Sequence, residues 1–281
     1  MKSVEARRIA VATATVYAAV LLAVGSSAGS DEIVEAGIAY REAAPDDGYA
    51  RERCLLDLIA PADGCELPAI VWFHGGGMTQ GAREIPAALR NQGAILVGPS
   101  YRLSPRVKVA AILEDAATAV AWTIKNVERY GGSPRRVYVS GHSAGGYLAL
   151  MVGLDQRLLA AHGLEPNQLA GIAAYSPQAI THFAIRAERG IPDTRPVIDE
   201  FAPLYHVRKD APPILLMTGD REREMLGRYE ENAYLARMLQ VVGHRQTTLR
   251  ELPGEDHAGM AAAGHPELLQ WLQDQFDRFA R

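Results

Sequence analysis

The sequence is short of several things, and each shortage removes a class of explanation. Only two cysteines, Cys54 and Cys65, occur in 281 residues. Two thiols cannot staple a disulfide-dense scaffold, their spacing is wrong for a zinc knuckle, and no clustered histidines complete a metal site. They flank "LLDLIAPADG", which reads as a strand and a turn, so one disulfide or two unrelated thiols fit equally well. Aromatic residues make up 7% of the chain, too few to suggest an extended sugar-stacking platform. The basic residues are scattered, form no stripe interleaved with aromatics, and leave a formal net charge of −4, so nucleic acid is not an expected partner. Internal repeats and low-complexity runs are missing as well.

What remains is 48% hydrophobic and 22% charged, a composition for one larger globular domain with a sizeable core. The first thirty residues stand apart. "MKSVEARR" carries Lys2, Arg7 and Arg8, "IAVATATVYAAVLLAVG" is uncharged and apolar, and "SSAGS" offers Ser26 and Ala28 at small-x-small spacing. This is the layout of a secretory signal peptide over residues 1–28, with export to the periplasm or medium as its consequence. An uncleaved membrane anchor is the alternative, although the run is short for a bilayer span. The folded domain is then residues 29–281.

From "PAIVWFHGGGM" onward, short apolar runs that stop at glycines alternate with segments whose apolar residues recur at helical spacing. That alternation predicts an α/β fold with a mostly parallel sheet covered by helices on both faces. Ligands in such sheets lie beyond the carboxyl ends of the strands, where "HGGG", Ser143 and "TGD" all fall. Residues 177–210 break the rhythm, being irregular and proline-rich, and read as a small cap-like excursion.

"GHSAG", residues 141–145, fits G-x-S-x-G between a strand and a helix. This is the nucleophile elbow, in which glycines allow close backbone approach and the serine hydroxyl is lifted clear of the sheet. With "FHGGGM", "YRLSP", "EDAATAVAWTIKNVERYGGSPRRVYVSGHSAGGYLA" and "TGDREREMLGRYEENAYLARML", the chain from about Arg53 resembles α/β-hydrolases of the esterase/lipase group that carry HGGG and GHSAGG. Within that group it is similar to bacterial esterases classed with feruloyl-esterase-like and kynurenine-formamidase-like enzymes. The resemblance implies the α/β-hydrolase fold and hydrolytic chemistry, but not a substrate.

A serine hydroxyl needs a base to become nucleophilic. His257, in "LPGEDHAGM" after the last strand, is where the resemblance places that base, and it completes the order Ser, acid, His. The acid belongs in "GDREREMLG", where Asp220, Glu222 and Glu224 are all candidates. Related hydrolases place it three positions beyond the glycine, which selects Glu222, with Asp220 as the alternative. The oxyanion hole is expected from the amide of Ala144, the residue after the nucleophile, and, by resemblance, from Gly76 and Gly77. His74 is expected to brace that loop, His265 to cap the last helix, and Glu230 with Glu231 to lie on a solvated helix face. Arg102 and Asp115 read as a structural ion pair. Gln178, His182 and Phe183 read either as pocket lining or as ordinary packing.

The expected activity is therefore cleavage of small carboxylic esters by a serine hydrolase of the carboxylesterase type, through an acyl-enzyme and without metal or organic cofactor. An arylformamidase or other amide hydrolase is the alternative within enzymes, and a non-catalytic binding scaffold is the alternative outside them. A membrane enters only if the N-terminal segment stays as an anchor.

Overall fold

The computed structural model describes residues 32–165 and 167–279, so the signal-peptide or anchor reading of residues 1–28 lies outside the described residues. The chain enters through β1 (Glu32–Ala39), α1 (Gly48–Arg53), β2 (Leu55–Pro61), β3 (Leu67–Phe73) and β4 (Ile95–Pro99). It continues through α2 (Val109–Asn126), β5 (Gly132–His142), α3 (Ala144–Leu154), α4 (Gln156–Ala160) and β6 (Gly171–Tyr175). Last come α5 (Phe183–Glu188), β7 (Ile214–Gly219), α6 (Arg228–Val241), β8 (Thr247–Leu252) and α7 (Gly259–Phe279). The strands form one sheet in the order β1-β2-β4-β3-β5-β6-β7-β8. β2 runs antiparallel to β1 and β4, and the other neighbours are parallel.

The apolar runs of the central strands follow from burial on both faces. Along a strand, successive side chains point to opposite sides, so a sheet covered twice needs apolar residues at every position. Val71, Val139, Ala174 and Leu216 join one buried cluster with Ile112 and Val120 of α2 and Leu148 of α3. Their neighbours Ile70, Tyr138, Ala173 and Leu215 join a second cluster with Leu268, Trp271 and Leu272 of α7. β1 lacks this signature because it is an edge strand, with Val34 60% exposed. A register shift between Glu35 and Ile38 is held by the Gly37 amide, which donates to Asp57 Oδ1 at 2.8 Å.

Several local features differ from the sequence reading. "SAGGYLALMVGLDQRLL", which reads as one helix, is two, because Asp155 is extended and its side chain accepts from the Arg157 amide to start α4. The last helix begins at Gly259, ahead of His265, so His265 caps nothing and packs its ring near Trp72 and Tyr175. Cys54 is buried, Cys65 is exposed, and both are free, which leaves them as unrelated thiols. Asp115, fully buried, accepts from Arg102 Nη2 at 2.7 Å and Nε at 2.8 Å, and from Arg41 Nη1 at 2.5 Å. Residues 177–210 hold α5 and a short 3-10 helix at Pro203–His206 in an otherwise irregular path. The end of α5 is fastened to the start of α2 by the Val109 amide donating to Glu188 Oε1 at 2.8 Å. Among the described residues no helix is long and apolar enough to cross a membrane.

Candidate active site

β5 ends at His142 and α3 begins at Ala144, so Ser143 alone makes the turn, at φ 56° and ψ −116°. A non-glycine residue there is strained by roughly 1–3 kcal/mol and persists only where its surroundings enforce it. Here the Ser143 amide donates to the Tyr175 carbonyl of β6 at 2.8 Å. The flanking glycines permit the turn sterically. A Cβ on Gly145 would lie 2.0 Å from the Phe73 carbonyl oxygen, and one on Gly146 would lie 2.8 Å from the Tyr175 oxygen. The elbow is thus pressed onto the ends of β3 and β6.

Above this turn, His257 Nε2 lies 2.9 Å from Ser143 Oγ, and His257 Nδ1 lies 2.6 Å from Glu224 Oε1. Proton placement follows. An ionised carboxylate only accepts, so Nδ1 carries the hydrogen and donates it to Glu224. Nε2 is then bare and accepts from the Ser143 hydroxyl. Burial pushes the Glu224 carboxyl up, but the hydrogen bond from His257, the Met225 amide, the charge of His257 and the Ser176 hydroxyl together hold it down to about 2. Glu224 is therefore charged across the neutral range.

The glycine-rich loop after β3 lies beside the same serine. A Cβ built on Gly75 would stand 3.7 Å from Ser143 Cβ and 3.2 Å from the His142 carbonyl. Gly76 and Gly77 follow at φ 102° and 63°, and the Gly76 carbonyl accepts from the amides of Thr79 and Gln80 at 3.1 Å. His74 braces this loop, as its position suggests. Its Nδ1 lies 2.7 Å from the Gly75 carbonyl and its ring stacks on Tyr101 at 4.2 Å. Burial lowers the His74 ring to about 4, which keeps it neutral. Ala144, the first residue of α3 and the one after Ser143, is buried.

Residues 56–185 match the BD-FAE family model, a span that takes in the HGGG loop and the elbow. The chain is similar to Esterase LipC of Mycobacterium tuberculosis, 28% identical over 68% of this chain and 51% of that protein. It is also similar to Carboxylesterase NlhH of Mycobacterium tuberculosis, 31% identical over 50% of this chain and 45% of the other. The chain spans about half the length of these curated relatives. Among solved structures, Thermogutta terrifontis esterase 2 phosphoramylated by tabun superposes with a TM-score of 0.68 at 24% identity, covering 86% of this chain and 94% of that one. A truncated carbohydrate esterase from gut microbiota gives 0.69 at 16% identity, over 89% and 99%. The chain has the α/β-hydrolase fold.

In this fold the residue against His257 is Glu224, and neither Glu222 nor Asp220 lies there. The reason is the shape of the loop after β7. Amides of Arg223 and Glu224 both donate to the Asp220 carbonyl, at 2.9 and 2.7 Å, so residues 220–224 close a helical turn. On such a turn, residues two apart face opposite sides, while residues four apart share one side. Glu222 accordingly points to solvent. Glu224 folds back until its side chain is fully buried, accepting from the Gly219 amide at 3.1 Å and the Met225 amide at 2.8 Å. Asp220 stitches two loops instead. Its carboxylate accepts from the Glu222 amide at 3.0 Å and the Gly254 amide at 2.8 Å, and its own amide donates to the Glu255 carbonyl at 2.8 Å.

Sequence reasoning also missed Ser176. This buried residue follows β6 at φ 45°, with Oγ 2.9 Å from His257 Nδ1 and its hydroxyl bonded to Glu224. Its carbonyl accepts from Nη1 of Arg228, a guanidinium buried at the start of α6. The signal available in the sequence was position alone: a serine at the carboxyl end of a central strand. Of the three pocket candidates, His182 is buried and caps α5 by accepting from the Ala184 amide at 3.1 Å. Gln178 is buried and accepts from the Phe183 amide at 3.0 Å. Phe183 is only half-buried, and its ring reaches to within 2.9 Å of where a Gly77 Cβ would stand. Glu231 departs from the solvated face expected for it, being half-buried and accepting from the Ala179 amide at 2.9 Å. Among the described residues no group of three His, Cys, Asp or Glu side chains is placed to hold a metal ion.

Proposed function

We propose that this protein is a serine carboxylesterase acting on small carboxylic esters. The observation that carries the reading is the unbroken relay from Ser143 through His257 to Glu224, at 2.9 and 2.6 Å. In the proposed reaction, His257 Nε2 takes the Ser143 proton as Oγ attacks the ester carbonyl. The imidazolium that forms is stabilised by Glu224, which stays ionised. The amides of Gly76, Gly77 and Ala144 bind the developing oxyanion, assisted by the positive end of α3. His257 then protonates the leaving alcohol, and water, activated by the same imidazole, releases the acid from the acyl-serine.

The similarity to proteins named as esterases supports the same reaction class. Export is part of the proposal and rests on the charge and hydropathy layout of residues 1–28. Turnover of p-nitrophenyl acetate by the wild-type chain, with stoichiometric labelling by a fluorophosphonate that Ser143→Ala abolishes, is the expected result. A wild-type chain that takes the label at Ser143 but cleaves N-formyl amides in preference to esters would overturn the ester assignment. Failure to label at all would overturn the catalytic reading.

A further inference from the structure

The first x of G-x-S-x-G is His142, and the reaction above gives it no task. Its surroundings do. His142 Nε2 lies 2.7 Å from the backbone carbonyl oxygen of His257, and the two rings stand 4.8 Å apart. A carbonyl only accepts, so Nε2 carries a hydrogen and donates it. Burial, with the nearby His257 second, lowers the His142 ring to about 4, so the ring is neutral and Nδ1 is bare.

The position of this bond in the chain is informative. His257 sits on a loop leaving β8, the last strand of the sheet. Before it, the loop is held by Asp220 at Gly254 and Glu255. After it, Asp256 Oδ1 caps the start of α7, accepting from Ala258 at 3.1 Å and Gly259 at 2.8 Å. The His257 peptide itself is tied by His142, whose own backbone precedes the nucleophile. One side chain therefore links the residue before Ser143 to the backbone of the base that must meet Ser143.

We propose that His142 is a positioning residue that sets the distance between nucleophile and base by donating from Nε2 to the His257 carbonyl. The proposal rests on the esterase reading for its kinetic readout, and carries a second readout that does not. His142→Phe keeps a ring of similar size and removes the donor. His142→Gln restores an N–H at comparable reach. On p-nitrophenyl acetate the Phe variant is expected to lose kcat on the order of tenfold or more with KM within about twofold, and the Gln variant to recover most of it. Amide hydrogen exchange across residues 253–259 is expected to accelerate in the Phe variant and return towards wild type in the Gln variant. Equal losses in both variants would assign the effect to ring packing and overturn the proposal, as would unchanged kcat and exchange in His142→Phe. If the wild type turns over no ester, the esterase reading fails, and the exchange comparison still decides whether the clasp exists.

Discussion

The elbow and the acid loop supply neighbouring parts of one relay and are built on opposite terms. The elbow is buried, glycine-rich and fixed by contact: Gly141, Gly145 and Gly146 each stand where a Cβ would meet backbone at 3.0 Å or closer. The acid loop is charged and largely exposed, and its conformation rests on hydrogen bonds: a turn closed on the Asp220 carbonyl, with Asp220 and Arg223 tied to the loop after β8 and Arg221 to Glu251. A steric requirement leaves a mark on residue identity, since only glycine satisfies it. A turn leaves its mark on phase, and three acids within five residues offer no phase to read.

Substitutions can break or sharpen this contrast. The largest effect is expected for Glu224→Gln, which keeps shape but removes the charge that fixes the His257 tautomer. A fall in kcat of about ten-thousand-fold, measured on an activated ester, is the expected outcome. A loss below tenfold would remove Glu224 from the relay. The same variant tests linkage. The folded Glu224 carboxyl is held down to about 2, below the ordinary 4.5 of a glutamate, so its contribution is present above pH 4.5 and lost as pH falls towards 2. Between pH 5 and pH 3 the wild type should lose about 2 kcal/mol more unfolding free energy, measured by urea denaturation, than Glu224→Gln.

Next comes Gly145→Ala, where the new methyl meets the Phe73 carbonyl at 2.0 Å. Destabilisation by about 3 kcal/mol is expected from denaturant unfolding, with kcat down roughly a hundredfold in the protein that still folds. Asp220→Ala, which unpicks the stitch between loops without touching the relay, is expected to lower kcat by about tenfold. Smallest is Glu222→Gln, expected to stay within about twofold of wild type. Were Glu222→Gln the more damaging of the two glutamate variants, the helical turn would be wrong.

Legibility in the sequence follows the same line. The double-covered sheet was readable because burial on both faces demands unbroken apolar runs, as in "AIVWF" and "PILLM". β1 was not, because an edge strand with its side chains largely in water carries no such run. Ser143 and His257 were readable from glycine spacing and chain order. Glu224 lay among the candidates, and only the Arg223 and Glu224 amides converging on one carbonyl separate it from its neighbours. Ser176 and Arg228 were invisible because their roles depend on where β6 and α6 end, and no local pattern encodes that.

One consequence of the strand order concerns heat. Ser143 sits between central strands, whereas His257 hangs from the margin of the sheet, where β8 has a neighbour on one side only. Margins open before centres do. On warming, the protein should therefore fall silent while still folded, its inactivation temperature preceding its calorimetric melting point by several degrees. The frailty of the machine is that of its outermost strand.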